Sequence, residues 1–431
     1  MKIAFFTLGC KVNTYETESL WELFKEKGYE RIDYKEFSDV YIINTCTVTN
    51  SGDSKSRKAI RRLIKQNPEA VVAVMGCYSQ MSADEVLQID GVDIVIGTKH
   101  REQLIGLVES VVRERTKISN VTDVSRYRVF DEVNVTNFTE NTRAFLKIQD
   151  GCNNFCSYCI IPFARGPVRS RSKESVLQEA TNLVLNGYHE IVLTGIHTGG
   201  YGQDLKDYTF YQLLYDLSNV EGLKRIRISS IEINELSDEI ISLISSNPIF
   251  AKHLHIPLQS GSDNVLKEMG RKYNTTEFKI MIDSIKNKIP GIAITTDVIV
   301  GFPGETEDMF EDMYQFIKNI QFSELHVFPY SKRSGTKAAL MNDQINGVIK
   351  SFRVNKLIEL NEELATTFIK TSKDSVLSVL FEKSDDDYTY GHSDTYIYVK
   401  VDKDDTLLNN IDNVMIERIK YRDTFGKIKK D

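Results

Sequence analysis

The six cysteines of this chain fall into two groups of three, and each group constrains how one part of the chain can fold. The first group, called here the N-terminal triplet, consists of Cys10, Cys46 and Cys77. The second group, the central triplet, has the spacing C-x3-C-x2-C and consists of Cys152, Cys156 and Cys159. Three thiolates as close in sequence as the central triplet can bind three irons of a [4Fe-4S] cluster and leave the fourth iron open. The N-terminal triplet can do the same only if the fold brings distant residues together.

Disulfides and zinc are the main alternatives for clustered cysteines. The apolar stretch at residues 3–8 is too short for a signal peptide, and no apolar run reaches the roughly 18–20 residues of a membrane span. We therefore expect a cytoplasmic protein with no membrane partner, in which clustered cysteines typically bind metal. Structural zinc sites and ferredoxin-type clusters both use four ligands. The central triplet has no fourth cysteine nearby, which favours an open-iron cluster.

The N-terminal region alternates short apolar runs with amphipathic segments. The pattern predicts strands at 2–7, 40–44, 71–75 and 94–96, and helices at 16–27, 54–65 and 83–87. Alternating strands and helices indicate a parallel sheet, whose ligands bind beyond the carboxyl ends of the strands. Each cysteine of the N-terminal triplet follows one of the first three strands, so we expect the three thiols to meet at one edge. The alternative is three unrelated buried thiols, because free cysteine is often buried.

A second alternating region follows a polar, valine-rich connector at 111–140, with a boundary near residues 139–142. Strands are predicted at 144–149, 190–195, 225–230, 253–258, 293–301 and 324–330, and helices at 173–186, 210–217, 237–246, 276–288 and 307–319. Six strands joined by right-handed crossovers fit a partial (β/α)6 barrel with its helices outside. Barrel enzymes work at the carboxyl ends of their strands. The central triplet directly follows the first of these strands.

The last part of the chain differs in pattern. A long helix is predicted at 343–370, followed by β-rich segments at 376–381, 390–401 and 414–421, with turns at Gly391 and at 402–405. This pattern indicates a small antiparallel barrel or sandwich, a fold that often recognises oligonucleotides, although a structural cap fits it equally. We therefore predict an α/β chain with four parts: a parallel α/β domain at 1–110, the connector at 111–140, the barrel at 141–370 and a small β domain at 371–431.

The net charge of −7 means that any nucleic-acid contact must come from local patches. One basic run lies on the helix predicted after Cys46 and consists of Lys55, Arg57, Lys58, Arg61, Arg62 and Lys65. A second run follows the central triplet and consists of Arg165, Arg169, Arg171 and Lys173. Both runs are interpreted as phosphate-steering surfaces, with a solvated helix face as the alternative. The C-terminal domain is largely acidic, so an RNA contact there would fall on Arg418, Lys420, Arg422, Lys427, Lys429 and Lys430.

Over essentially its full length the chain resembles the radical S-adenosylmethionine (SAM) methylthiotransferases. That family has an N-terminal domain with three cysteines, a radical SAM barrel with C-x3-C-x2-C and a small TRAM domain. The run RGPVRSR at 165–171 resembles the segment that follows the radical SAM cysteines in the family. The opening TLGCKVNTYETE at 7–18 resembles the MtaB branch, which acts on N6-threonylcarbamoyladenosine at position 37 of tRNA. The MiaB branch, acting on isopentenyladenosine, typically has Gln-Met-Asn after this cysteine, and the RimO branch, acting on a ribosomal protein aspartate, has a Lys-Asn pair.

The resemblance implies two [4Fe-4S] clusters, one in each triplet, with SAM as both methyl donor and radical source. The cluster of the central triplet would bind SAM and cleave it to a 5′-deoxyadenosyl radical, and the other would carry the sulfur that is methylated and transferred. No side chain is expected to be catalytic or to supply sulfur. The expected partners are the tRNA anticodon stem-loop, SAM and an electron donor such as flavodoxin or ferredoxin.

The SAM contacts are expected at the strand ends, although ordinary turn chemistry is the alternative for each. Tyr158 and the pair Gly301 and Phe302 would lie by the adenine, Gly195 by the methionyl group, and Ser229 and Glu232 by the ribose or amine, with Gln259 after the fourth strand. Three histidines are interpreted as structural rather than metal-binding: His197, His253 and His255. A non-catalytic iron-sulfur protein that binds RNA or senses redox state is the alternative of a different class.

Overall fold

The computed structural model describes residues 1–139 and 142–429. Two of the sequence-based expectations lie outside these residues: the boundary at Glu140 and Asn141, and the contribution of Lys430 to the basic C-terminal end. Within the described ranges no helix is both long enough and apolar enough to cross a membrane.

The N-terminal domain is a parallel sheet with helices on both faces. Its elements are β1 (Lys2–Thr7), α1 (Lys11–Glu26), β2 (Glu30–Ile32), β3 (Val40–Thr45), α2 (Asn50–Gln66), β4 (Val71–Gly76), α3 (Cys77–Met81), α4 (Ala83–Leu87), β5 (Ile94–Ile96), α5 (Leu104–Glu114) and β6 (Ile118–Asn120). The strand order is β2-β1-β3-β4-β5-β6. One apolar core lies under α1 and α5 and a second under α2, so the central strands are buried on both faces.

The N-terminal sheet extends into the segment that was expected to be a polar connector. Helix α5 buries Leu104, Val108 and Val111 against the sheet, a helical spacing that the valine-rich composition concealed. Strand β6 then pairs in parallel with β5, with Ile118 opposite Ile94. Residues 121–139 have no helix or strand. We therefore propose that the N-terminal domain extends to residue 120.

The central domain has the predicted partial barrel of six parallel strands. Its elements are β7 (Ala144–Lys147), β8 (Gln149–Asp150), α6 (Ile161–Arg165), β9 (Arg169–Ser170), α7 (Lys173–Leu185), β10 (Glu190–Thr194), α8 (Phe210–Leu217), β11 (Arg225–Ile228), α9 (Asp238–Ser246), β12 (His253–His255), α10 (Asp263–Met269), α11 (Thr275–Lys288), β13 (Ala293–Val300), α12 (Glu307–Ile320), β14 (Glu324–Pro329) and α13 (Gly347–Lys370). The strands form two sheets, β11-β10-β7 and β12-β13-β14. The sheets meet where the Ile226 amide donates to the Ile249 carbonyl at 2.8 Å.

The C-terminal domain is a small closed barrel, which confirms the predicted fold class. Its strands are β15 (Val376–Ser384), β16 (Tyr388–Ser393), β17 (Tyr398–Asp402), β18 (Ile411–Arg418) and β19 (Thr424–Ile428), in the order β15-β16-β17-β19-β18. The segment 390–401, predicted to be β-rich, contains parts of two strands, because the chain turns at Tyr396, where φ is +66°. Gly391 is not a turn residue but lies inside β16. A Cβ there would be 1.7 Å from the Leu380 carbonyl oxygen, so glycine permits a close strand contact beside a bulge.

The C-terminal barrel is docked on the amino ends of the central strands. Glu190, the first residue of β10, accepts hydrogen bonds from Arg225 at 3.0 Å and from Arg227 at 2.7 Å. The same arginines donate across the domain boundary, Arg225 to the Ser378 carbonyl at 2.9 Å and Arg227 to the Ser393 carbonyl at 3.0 Å. The C-terminal barrel therefore lies at the end of the central barrel opposite to the central triplet.

Candidate functional site

The N-terminal triplet lies at the carboxyl edge of its parallel sheet. Cys10 stands between β1 and α1, Cys46 follows β3, and Cys77 follows β4 as the first residue of α3. The loops approach closely at two glycines. An ideal Cβ on Gly9 would lie 3.1 Å from the Cβ of Cys46, and one on Gly76, where φ is +101°, would lie 2.5 Å from the Thr45 carbonyl oxygen. The strand order thus brings three cysteines distant in sequence to one edge.

The central triplet lies on the loop between β8 and α6, at the carboxyl end of the first barrel strand. The loop turns tightly where the Cys159 amide donates to the Cys156 carbonyl at 2.9 Å. Gly151 precedes the triplet with φ of +75°, and a Cβ there would lie 1.9 Å from the Pro167 carbonyl oxygen. Glycine is therefore required at this position, because the chain that follows α6 packs directly against it.

Arg165, the last residue of α6, connects the two triplets. Its side chain is fully buried, and its Nε donates to the Sγ of Cys77 at 3.2 Å. Its Nη2 donates to the Asn13 amide oxygen at 2.9 Å and to the Glu16 carboxylate at 3.1 Å. A residue that follows the central triplet in sequence therefore supplies a positive charge to a sulfur of the N-terminal triplet.

A buried ionic network surrounds this connection. Lys147 donates to Glu16 at 2.8 Å and to Asp150 at 3.1 Å, and Asp150 also pairs with Arg169 at 3.2 Å. Burial alone would raise the pKa of the Glu16 carboxyl, but nearby guanidinium and ammonium groups hold that pKa well below its usual range. Because Glu16 lies on α1 and its cations lie mainly on the central domain, the network joins the two domains.

The prediction of a phosphate-steering surface on the second basic run was wrong. Arg165, Arg169 and Arg171 are fully buried, and Arg171 pairs with Glu179 at 2.7 Å. Arginine is always charged and its five donors match carboxylates, so it is the basic residue most suited to such interior pairs. Within this run Lys173 alone reaches the surface, partly exposed, and it pairs with an aspartate at 2.7 Å.

The donor groups around the sulfur atoms fit an iron-sulfur cluster in each triplet. Arg271 donates to the Sγ of Cys156 at 3.4 Å, and the Asn154 amide donates to the Sγ of Cys152 at 3.4 Å. Burial raises the pKa of Cys77 and of Cys159 to about 12, so a thiolate at either position requires a cation or a bound metal. Across residues 1–139 and 142–429 no three His, Cys, Asp or Glu side chains converge on one metal-ion position. This is compatible with an iron-sulfur cluster, because each cysteine of a cluster binds a different iron and the thiolates do not have to converge on one ion.

Two charged residues beside the central triplet were not predicted to belong to the site. His197 follows β10, and its Nε2 lies 2.5 Å from a carboxylate oxygen of Glu235. Although burial lowers the pKa of His197, the nearby Cys152 sulfur and Glu235 carboxylate raise that pKa to about 10. Arg271 follows α10 and had no sequence signal, because a single arginine after a helix is common. Both place positive charge beside cysteine sulfur.

The expected SAM-binding residues do not share one environment. Glu232 pairs with Arg271, the same side chain that donates to Cys156. The hydroxyl of Ser229 is buried and has no hydrogen-bond partner among the described residues, which leaves it free for a ligand. Tyr158 packs on an apolar cluster that contains Phe302, and the Phe302 ring lies 5.6 Å from a tyrosine ring. Ser229 is therefore a free hydrogen-bond donor, and Tyr158 and Phe302 form an apolar wall.

For the remaining three residues that were expected to contact SAM, packing within the protein is enough to explain the residue type. Gln259 has φ of +67° and bonds by its main chain to the neighbouring strand β13. A Cβ on Gly195 would lie 2.9 Å from a side-chain oxygen of Gln149. At Gly301, where φ is +70°, a Cβ would lie 2.4 Å from Cγ of Lys350. Glycine at 301 thus makes room for a lysine side chain.

A cavity of about 830 Å³ opens beside Cys46, between the two domains. The N-terminal wall is formed by residues 8–9, 48–52 and Lys55, and the barrel wall by 328–332 and Lys350. Arg333 ties the walls together by pairing with Asp53 at 2.7 Å and donating to Thr47 at 2.6 Å. The cavity offers a route from the surface to the N-terminal triplet.

Comparisons with known proteins agree with this arrangement. Residues 2–97 match "Uncharacterized protein family UPF0004" and residues 146–317 match the "Radical SAM superfamily". A Bacillus subtilis (strain 168) protein, threonylcarbamoyladenosine tRNA methylthiotransferase MtaB, is 51% identical over 97% of this chain and 94% of its own length. A Carboxydothermus hydrogenoformans protein, tRNA-2-methylthio-N(6)-dimethylallyladenosine synthase, is 33% identical over 98% of this chain and 96% of its own.

Solved structures share the fold at low sequence identity. The radical SAM methyltransferase TsrM from Kitasatospora setae, with cobalamin and a [4Fe-4S] cluster bound, has a TM-score of 0.58 at 12% identity, over 79% of this chain and 74% of its own. The family resemblance inferred from the cysteine spacing and from the segments at 7–18 and 165–171 is thereby confirmed by the relatives. The chain belongs to the radical SAM methylthiotransferase family, in its MtaB branch.

Proposed function

We propose that this transferase adds a methylthio group to C2 of N6-threonylcarbamoyladenosine at position 37, in the anticodon stem-loop of tRNA. The product is 2-methylthio-N6-threonylcarbamoyladenosine. The observation that carries the proposal is the Arg165 contact, because it holds the loop of the central triplet against Cys77 of the N-terminal triplet. A reaction that joins sulfur, a methyl group and a base carbon needs two such centres side by side.

In this proposal Cys152, Cys156 and Cys159 hold one [4Fe-4S] cluster, and the N-terminal triplet holds a second. When bound, the clusters and SAM supply one-electron cleavage of SAM and a carrier for sulfur, chemistry that no side chain provides. Arg271 and Arg165 stabilise negative charge on the sulfur atoms that they contact.

The barrel side chains orient SAM in this proposal. Ser229 offers a free hydroxyl to the ribose or the amine, while Glu232 is held in place by Arg271. Tyr158 and Phe302 form an apolar wall that excludes water from the adenine. The tRNA enters through the cavity beside Cys46. Flavodoxin or ferredoxin supplies the electron.

The deciding experiment is mass spectrometry of tRNA nucleosides from cells with and without this gene. Loss of 2-methylthio-N6-threonylcarbamoyladenosine, with accumulation of its precursor, is expected. Loss of the isopentenyl analogue instead would assign the MiaB-type activity. If neither nucleoside changed in cells that make both, a ribosomal protein aspartate would become the leading acceptor.

A second experiment tests turnover itself. The reduced, anaerobic protein with both clusters is expected to release 5′-deoxyadenosine from SAM when tRNA is present. Intact clusters without this release would support a non-catalytic iron-sulfur protein that binds RNA or senses redox state.

A further inference from the structure

The cavity beside Cys46 has a positively charged lining. Lys55 comes from α2, Lys332 follows β14, and Lys350 lies on α13. Among the residues that the structure describes, the others that line the cavity are neutral, and none is an aspartate or a glutamate. An anion in this space is therefore attracted by three ammonium groups and repelled by no lining carboxylate.

Lys350 differs from the other two lysines in how it is held. Lys55 and Lys332 are exposed, whereas Lys350 is half-buried. Its stem passes over Gly301, and its Nζ donates to the Tyr330 carbonyl oxygen at 3.0 Å and lies 4.9 Å from the centre of the Tyr330 ring. Burial lowers the pKa of the Lys350 ammonium. A cation that is fixed and partly desolvated gains most from an anionic ligand.

The substrate of the proposed reaction carries such an anion near the reacting carbon. In N6-threonylcarbamoyladenosine the threonine is joined through its amino group, so its carboxylate is free. C2 is a ring carbon and N6 is the amino nitrogen attached to ring carbon C6, so only N1 and C6 separate the two atoms. A base whose C2 reaches the N-terminal triplet therefore carries its N6 substituent into the space beside Cys46.

We infer that Lys350 binds the carboxylate of the N6-threonylcarbamoyl group in the cavity beside Cys46, an inference that rests on the proposed function. Lys350 is then a specificity-determining residue. A neutral isopentenyl substituent offers no charge to the ammonium, and a site built for a polar group rejects an analogue that lacks it. The exposed Lys55 and Lys332 suit tRNA phosphates instead, a contact that does not depend on the modified base.

The test compares binding of three anticodon stem-loops that differ at one base, without reductant so that no turnover occurs. The base is adenosine, N6-threonylcarbamoyladenosine or the methyl ester of the latter, which is neutral. Fluorescence anisotropy with cluster-loaded protein gives each Kd for the wild type and for Lys350→Met, Lys350→Arg and Lys332→Met. Iron content and circular dichroism report whether each variant is folded and loaded.

We expect the wild type to prefer the acid over the ester, and Lys350→Met to lose about tenfold in affinity for the acid only. Lys350→Arg should keep the preference for the acid over the ester, and Lys332→Met should weaken the binding of all three RNAs by the same factor. If Lys350→Met weakened the binding of all three RNAs equally, Lys350 would be a phosphate contact and the inference would be overturned. An unchanged preference of Lys350→Met for the acid over the ester would also overturn it. If the wild type with reductant fails to methylthiolate the acid stem-loop, the proposed function itself falls.

Discussion

Arg165 is the side chain on which both halves of the site depend. It is fully buried, it contacts Cys77, and it shares the Glu16 carboxylate with Lys147. Glu16 lies on the N-terminal domain and Arg165 on the central domain, so their pairing fixes the distance between the two triplets. The guanidinium therefore acts at once as a domain joint and as a positive charge beside sulfur.

Replacing Arg165 by Met is expected to leave Glu16 buried with too few cations. Breaking a buried ion pair by removing one partner typically costs about 3–5 kcal/mol. The thermal midpoint of the metal-free protein, which does not depend on iron, should therefore fall by several degrees. Lys173→Met is the matched control, because the pair of this partly exposed lysine with Asp216 contributes about 0–1 kcal/mol. Equal midpoints for the two variants would mean that the network does not join the domains.

The same arginines show what residue types alone cannot reveal. A run with three arginines within seven residues, 165–171, looks the same whether it faces RNA or buried carboxylates. Its partner Glu16 is 149 residues from Arg165 in the chain, whereas Glu179 is only 8 residues from Arg171, on the next helix α7. The six cysteines, by contrast, could be grouped from sequence because their spacing and their positions after predicted strands were both visible.

Among loops, the turn before the central triplet is the most constrained. Gly151 has φ of +75°, and a Cβ would collide with the Pro167 carbonyl oxygen at 1.9 Å. Gly151→Ala is expected to push the cysteine loop away from the chain after α6 and prevent cluster assembly. Iron per chain after reconstitution should fall toward that of a variant lacking all three cysteines of the central triplet.

Gly106→Ala is the matched control for this substitution. Gly106 lies on α5 with no atom within 4 Å of its ideal Cβ and without a positive φ. Alanine there should load iron normally and stabilise the helix by about 0.5–1 kcal/mol. Normal iron loading in Gly151→Ala would show that the cysteine loop tolerates the displacement.

Helices and strands could be predicted where apolar residues recur with a clear helical or strand spacing, and could not be predicted where the element is too short to show one. The six barrel strands and their long helices follow from apolar runs and helical spacing. The short helix α10 and strand β2 carry too few residues to show a period. The division of 390–401 into two strands depends on Tyr396 adopting a left-handed conformation, which is uncommon for an aromatic residue.

The docking of the C-terminal barrel on the central barrel depends on one buried carboxylate. Burial alone would raise the pKa of Glu190, but Arg227 and Arg225 lower it from 4.5 to about 2. Arg143 adds further positive charge, and Asp394 acts on Arg225 from the C-terminal side. Since the folded-state pKa is depressed, ionised Glu190 contributes stability above pH 4.5 that is lost as the pH falls toward 2, about 3 kcal/mol in all.

Glu190→Gln removes this titration while keeping the side-chain shape. At neutral pH the variant is expected to have a lower thermal midpoint than the wild type, because Arg225 and Arg227 lose their counter-charge. The gap between the two midpoints should narrow as the pH falls below 4.5, over the range in which both proteins stay folded. A gap that is independent of pH would mean that Glu190 is not ionised in the folded protein.

Exposed basic residues of α2 form a basic path that leads to the cavity beside Cys46. Lys55 lines the cavity, and four basic residues follow it at helical spacing along α2, in a stripe about 15 Å long: Lys58, Arg61, Arg62 and Lys65. The C-terminal barrel lies at the far end of the central barrel and so cannot supply this path. Replacing Lys58, Arg61 and Lys65 with Gln should therefore weaken tRNA binding. Arg62 is kept in this triple variant because its guanidinium packs on an aromatic ring.

The salt dependence of Kd distinguishes a phosphate contact from a general loss of charge. The slope of log Kd against log salt should flatten by about 0.7–0.9 for each phosphate that the variant no longer neutralises. Lys279→Gln, an exposed lysine on α11 paired with Asp283 at 2.6 Å, should leave the slope unchanged. If the triple variant also kept the wild-type slope, α2 would be a solvated face, and the cavity lysines would have to position the tRNA alone. The phosphate path along α2 is thus measured by the salt slope, and the carboxylate contact at Lys350 by the preference for the acid over the ester.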